Sequence, residues 1–435
     1  MNTRAGPIAS IGLFTAIAFV VGNMIGSGLF LLPASLAPWG PAALLGWGIS
    51  AIGALALARV FARLAHAWPR SGGPYAFARA AFGDRIGFVV AWSYWVSIWC
   101  ATAAIAIAFA GYLGSLWPAA TSTPLHSMLT ALAALWTCTL TNAFGVRSAG
   151  GMQVLTTLLK LLPLVALVVF AAPSVEAFAW RPFNPSGFDL WTVASTTAAL
   201  TLWSFLGIES ATNLAQDVRD PTRNVPRATL IGTTLAIGVT IAACTVVAGI
   251  VPAAQLAVST APFADAATRL WGTGLGHAFA ATAVVACFGA LNGWVLVQGQ
   301  LPLAAARDHV FPAAFARTDE RGTPQSGLVI GSVLASLLVL ANYRKDLVGL
   351  FTFSILLSTA ANLLPYVVCS AAELRRLART DARGGRRDAL GGATAAFALV
   401  FSLFALAGTG VESLAWGVVL VGAGMPVYRW TRSRR

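Results

Sequence analysis

The sequence predicts an all-α integral membrane protein with about twelve transmembrane helices, allowing ~20 apolar residues per span plus short connections. Three observations lead there. Of the 435 residues, 57% are hydrophobic and 10% are charged, with a mean hydropathy of +0.76, far from the balance of a soluble domain. Apolar runs of spanning length recur from one end of the chain to the other. Finally, the basic residues fall on alternate connections: Arg59, Arg63, Arg70, Arg79 and Arg85 around the second, Arg219, Arg223 and Arg227 at the sixth, and Arg375 to Arg387 at the tenth. With the N-terminus inside, Arg181, Arg269, Arg344 and Lys345 are left outside. This is the positive-inside asymmetry of a bacterial inner-membrane protein with both termini cytoplasmic. The net charge of +13 is then a matter of topology, and no nucleic-acid partner is expected. Neither is a cleavable signal peptide, because the first apolar run has no small-residue cleavage site.

Span 1, at 8–32, carries Val21-Gly-Asn-Met-Ile-Gly-Ser-Gly-Leu-Phe30 at mid-depth. Glycine and serine loosen a helix, and peptide groups freed inside hydrocarbon are tolerated only where they line a cavity or bind something. Span 2, at 40–66, contains Gly46, Gly48 and Gly53, which read as helix-packing glycines. Span 3, at 86–114, is long; spans 4 and 5 follow at 126–145 and 151–172, the latter with Lys160 inside it. Span 6, at 191–215, is interrupted by Leu200-Thr-Leu-Trp-Ser-Phe-Leu-Gly-Ile-Glu-Ser-Ala-Thr212, which includes Glu209, the one carboxylate expected to be buried. Span 7 lies at 227–250 and span 8, again long, at 274–303. Spans 9 to 12 fall at 326–342, 347–370, 389–408 and 412–430.

Spans 1 and 6 are both interrupted and spans 3 and 8 are both long, each pair five helices apart. That spacing predicts a 5+5 inverted repeat with discontinuous helices 1 and 6. The single unit 1–435 then divides into a first repeat (8–172), an inverted second repeat (191–370) and two extra helices (389–430). A broken helix offers peptide N–H groups at one half and carbonyls at the other, and these suit a carboxylate and an ammonium respectively. Two such breaks meeting at mid-membrane suit a zwitterion with both groups, an α-amino acid. Neither an enzyme nor a metal or cofactor is expected. The five cysteines are scattered one per span, the four histidines stand apart, and Gly272-Thr-Gly-Leu-Gly276 follows no strand. An ion channel, with a polar ring along a continuous pore, fits two capped breaks less well.

Together these segments resemble the amino acid–polyamine–organocation superfamily, and within it the bacterial basic amino acid/polyamine antiporters. The resemblance rests on Gly22-Asn-Met-Ile-Gly-Ser-Gly28 with Phe30-Leu-Leu-Pro33, Ser71-Gly-Gly-Pro-Tyr75, Tyr94-Trp95, Thr201-Leu-Trp-Ser-Phe-Leu-Gly-Ile-Glu-Ser210, Asn224-Val-Pro226, Ala261-Pro-Phe263, Gly293-Trp294 and Pro365-Tyr366. It implies alternating-access exchange of a cationic, arginine-like amino acid for its decarboxylated amine, agmatine in the case of arginine, or for another amino acid. It also implies site roles. Ser27 and Gly28 would hold the substrate carboxylate, and carbonyls of Met24, Trp203 and Leu206 the α-ammonium. Trp203 would cover the substrate, Trp294 would lie beneath its side chain, and Ser358 would touch its distal end. Tyr94, Glu209 and Tyr366, with Asn23, would form an inner constriction. Apart from the resemblance, burial raises a carboxyl pKa, so Glu209 is expected to exchange the coupling proton. Helices 11 and 12 would carry a homodimer contact.

Two departures keep an alternative open. Thr102 stands where the arginine carriers of that family have an Asn for the guanidinium, and Ile98 replaces a Cys in the same pocket. Lys160 matches a lysine that, in neutral-amino-acid members, occupies the place of a bound sodium ion; the resemblance implies a fixed or protonatable charge that braces span 5 against span 1, and Lys160 joins Glu209 as a candidate proton-coupling residue. An ammonium within a span is a functional candidate by default. The alternative is proton-coupled uptake of small neutral amino acids.

Overall fold

The computed structural model describes residues 11–26, 28–69, 72–144, 149–175, 182–213, 215, 218–320, 322–341, 345–382 and 388–433. Span 1 is divided into α1 (Leu13–Met24) and α2 (Gly28–Leu36). A 3-10 turn leads into α3 (Ala43–Ala67), and a short α4 (Gly73–Phe82) precedes the long α5 (Asp84–Leu116). The first half closes with α6 (Pro124–Ala143) and α7 (Ala149–Ala171). Span 6 is divided into α8 (Leu190–Trp203) and α9 (Ser210–Asn213), followed by α10 (Pro221–Ile250). Two short helices, α11 (Ala253–Leu256) and α12 (Pro262–Trp271), precede the long α13 (Thr273–Arg307). Then come α14 (Gln325–Ala341), α15 (Leu347–Ala382), α16 (Ala389–Ala407), α17 (Val411–Gly422) and α18 (Gly424–Ser433).

On length and composition, eight described helical stretches suffice to cross a membrane, and one of these, Leu13–Ala67, holds the first two expected spans. The remaining expected spans fall on α6, on the 17-residue α14 and on the interrupted α8–α9. Among the described residues the only bridge of strand type joins Ile11 to Val218, and it ties the chain before α1 to the chain after α9.

The two halves match in more than their breaks. The sequence reading missed α4 and α12, which are short amphipathic helices with proline in the first turn, each running into one of the two long helices. The junctions are alike: Gly83 between α4 and α5 has φ 86° and ψ −178°, and Gly272 between α12 and α13 has φ 85° and ψ 171°. The long helix α5 packs against both α13 and α15, and α3 packs against α8 and α10. Gly46 and Gly53 are close-packing positions, where a Cβ would strike Thr197 and Phe401; Gly48 has nothing within 4 Å and faces outward.

α15 continues to Ala382, past the expected end at 370. Its charged extension is held by pairing. Glu373 has a fully buried side chain, 2.5 Å from Arg63 Nε and 2.7 Å from Arg376 Nε, and Arg63 also reaches Asp388 at 2.6 Å. Asp388 in turn accepts from Gly391 N at the start of α16, the preferred role of an acidic N-cap. Glu209 is therefore not the only buried carboxylate. Glu373 escaped a span-by-span reading because its partners come from α3 and α15 itself.

Candidate substrate-binding site

The first break begins where Ile25 leaves helical geometry (φ −82°, ψ 67°), its N–H donating to Val21 O at 2.8 Å. At the second, the last turn of α8 tightens: Ser204, Phe205 and Leu206 donate to Thr201, Leu202 and Trp203 at 3.1, 2.8 and 3.2 Å. Gly207 then takes φ +106°, which L side chains rarely adopt. A Cβ here would also lie 3.2 Å from Asn23 Cβ and 3.4 Å from Met24 N, so the two breaks abut backbone to backbone. Asn23 Nδ2 fastens them by donating to Ser210 Oγ at 2.9 Å.

A narrow, tightly closed cavity lies against this junction. Asn23, Met24 and Gly26 line it from the first break, and Trp203 and Leu206 from the second. Tyr94, Ser97, Ala101 and Ile105 line it from one face of α5, Trp294 from α13, and Ser358 and Asn362 from α15. Among the described residues, no side chain lining it carries a formal charge. The walls offer π faces, hydroxyls and the two amides of Asn23 and Asn362, a set that accepts an ammonium through cation–π contact and oxygen acceptors. The hydroxyls of Ser97 and Ser358 lie 3.0 Å apart, and Ser358 Oγ donates to Ser97 O at 2.8 Å.

Beyond Tyr94, away from the cavity, lies a buried three-residue bridge. Tyr94 OH donates to Glu209 Oε1 at 2.7 Å, and Tyr366 OH donates to Glu209 Oε2 at 2.8 Å. All three side chains are buried, and Tyr366 packs edge-on to Phe61. This bridge lies between the cavity and the ends of α5 and α15 that carry the arginine-rich connections. Beyond it, Tyr75 OH donates to Asp308 at 2.9 Å, and Arg79 pairs with Asp308 and Asp84 at 2.9 and 2.8 Å. At the other end, Tyr112 OH donates to Phe30 O at 2.8 Å, and Phe30 stacks edge-on between Tyr112 and Phe263.

Of the residues singled out from sequence, Asn23, Met24, Tyr94, Trp203, Leu206, Trp294 and Ser358 line one cavity, with Glu209 and Tyr366 at its closed end. Ser27 lies outside the described residues, and Gly28 opens α2. Ile98 and Thr102 are fully buried but do not line the cavity. The Thr102 hydroxyl sits 2.9 Å from Trp99 O and 3.1 Å from Gln298 Oε1, engaged with α13 instead. Lys160 is 3% exposed, with Nζ 3.4 Å from Gly22 O in the last turn of α1. A cation there complements the carbonyl end of the half-helix. Gly26, Ser97, Ala101, Ile105 and Asn362 were missed. The signal was available for α5, since residues 94, 97, 101 and 105 recur at helical spacing on one face.

Comparison with known proteins agrees with this architecture. The amino acid permease family model matches residues 11–425. The chain is 32% identical over 415 residues to the putrescine transporter PotE of Escherichia coli K12, covering 93% of this chain and 92% of the relative. It is 31% identical over 422 residues to the putrescine transporter PotE of Haemophilus influenzae, covering 96% of each. To the cadaverine/lysine antiporter of Escherichia coli K12 it is 35% identical over 352 residues, covering 78% of this chain and 76% of the relative. The chain belongs to the amino acid permease family, in its basic amino acid/polyamine antiporter branch, and is an integral membrane transporter rather than an enzyme.

Proposed function

We propose that this transporter exchanges a short aliphatic diamine, of the size of putrescine or cadaverine, for a cationic amino acid across the bacterial inner membrane, with both termini cytoplasmic. The observation that carries the reading is a cavity at two abutting helix breaks, walled by Trp203 and Trp294, with hydroxyls and two amides but no carboxylate among its described lining residues. Such walls favour a cationic aliphatic chain. The break at α1 and α2 supplies polar backbone for the α-groups that the amino acid has and the amine partly lacks. The relatives named for putrescine and for cadaverine/lysine support the diamine; arginine with agmatine is the pairing that Thr102, turned toward Gln298, supports least.

In this reading Trp203 is the outer cover and Tyr94–Glu209–Tyr366 the inner constriction. Glu209 is the proton-coupling group, because its two tyrosine bonds must break whenever the inner path opens. Lys160 holds α7 to the end of α1. The exposed apolar residues of α16 and α17, among them Phe397, Val400, Leu403 and Trp416, face lipid or the second copy of a homodimer.

The alternative, proton-coupled uptake of small neutral amino acids, draws on Lys160. Titration calorimetry on the purified carrier with putrescine, cadaverine, lysine, arginine, agmatine and alanine separates the two. Binding of diamines and lysine with no heat from alanine supports exchange. Alanine binding without diamine binding would replace it with the neutral reading.

A further inference from the structure

We propose that Asn362 is the acceptor for the ammonium group that both cargoes share, and that it also disfavours passage of the empty carrier. The proposal rests on the exchange reading above and names one residue within it. Asn362 lines the cavity and is 1% exposed; its amide N–H side faces the Tyr366 hydroxyl one turn along α15, and its Oδ1 has no hydrogen-bond partner. Of the other polar groups around it, Asn23 Nδ2 is engaged with Ser210, Tyr94 with Glu209, and Ser97 with Ser358, while Asn23 Oδ1 belongs to the first break rather than to the α15 wall. Only the Trp203 indole N–H shares its condition among the cavity-lining side chains described. The two differ in kind. An indole N–H can only donate, whereas the Asn362 carboxamide offers an oxygen to a cation.

Position gives this unpaired oxygen its meaning. Ser358, Asn362 and Tyr366 follow one another at intervals of four on α15, so they stack along one face. The first borders the cavity, and the last closes it through Glu209. An ammonium seated on Asn362 Oδ1 thus lies one helical turn above the inner constriction. When no cargo is bound, a buried amide oxygen without a protein partner destabilises the closed state through which the carrier must pass. A cargo with an ammonium restores the bond and lowers that barrier, which is the differential stabilisation an exchanger requires.

The test uses full-length carrier in proteoliposomes, with labelled putrescine outside and either putrescine or buffer inside. In Asn362→Leu, which removes both polar atoms at similar size, the KM for putrescine exchange rises about tenfold, the loss of one hydrogen bond to a charged group. Uptake into buffer-loaded vesicles rises relative to exchange, because the cargo-free closed state no longer carries an unpaired amide oxygen. Asn362→Ser, smaller and still polar, falls between Leu and wild type on both readouts, and it carries the test if the Leu variant does not yield monodisperse protein. A KM within twofold of wild type, with an unchanged ratio of exchange to empty-vesicle uptake, would overturn the proposal. Wild-type protein that exchanges no putrescine would overturn the functional reading itself, before any variant is compared.

Discussion

Replacing Tyr366 with Phe should loosen the inner constriction by an amount the geometry sets. The substitution deletes the 2.8 Å bond to Glu209 Oε2 and leaves the ring, with its edge contact to Phe61 at 5.4 Å, in place. Tyr94 still donates to Oε1 at 2.7 Å, so the carboxyl group loses one of two tyrosine donors. A hydrogen bond of this kind contributes about 1–3 kcal/mol, so the open-inward population should rise roughly five- to hundredfold while it remains a minor state. Cys369 reports that opening. It lies one turn further along α15, fully buried, with Sγ 3.7 Å from Pro74 O on α4. With Cys100, Cys138, Cys244 and Cys287 replaced, the rate of maleimide labelling at Cys369 from the arginine-rich face should rise by that factor in Tyr366→Phe and in Tyr94→Phe. The double variant should gain less than the product, since both donors serve one carboxyl group. Equal labelling rates in the wild type and all three variants, in protein that still binds cargo, would refute the reasoning.

Four further outcomes follow from the same geometry. Trp294→Ala should raise the KM for cationic cargo about five- to thirtyfold, as expected for a lost cation–π contact of about 1–2 kcal/mol; an unchanged KM in flux assays would remove Trp294 from the site. Gly207→Ala must accommodate a Cβ at φ +106° against Asn23, at a cost of about 1–3 kcal/mol, and should lower the melting temperature in detergent; an unchanged melting temperature would mean the two breaks do not abut. Lys160→Ala removes the donor to Gly22 O and should abolish most transport while the protein still purifies; wild-type flux would make the lysine dispensable. Glu209→Gln should flatten the pH dependence of exchange, and a wild-type profile would exclude it as the proton-coupling group.

How much of this was legible beforehand depends on whether the signal was local. The breaks in spans 1 and 6 were readable because Gly, Asn and Ser cannot sit at mid-span without a reason, and Glu209 because a carboxylate there is costly. The pairing of halves was readable from spacing alone, though α4 and α12 were not, being too short and too amphipathic to register as spans. What the sequence withheld was direction and partnership. Thr102 lies on a helix that does line the cavity, yet its hydroxyl is claimed by Gln298, a residue far away in sequence. Glu373 looked like the start of a cytoplasmic loop, and it is buried because Arg63 reaches across from α3. Asn362 stands out only once its neighbours are seen to be paired among themselves. Each of these depends on tertiary packing, which a span-by-span reading does not contain.

The most direct measurement of the central claim is flux of labelled putrescine into proteoliposomes loaded with putrescine, lysine, arginine, alanine or buffer. The account predicts rapid uptake against internal putrescine or lysine, and little against alanine or buffer. Uptake that proceeds equally well into buffer-loaded vesicles, or alanine flux driven by a proton gradient with no diamine flux at all, would contradict it.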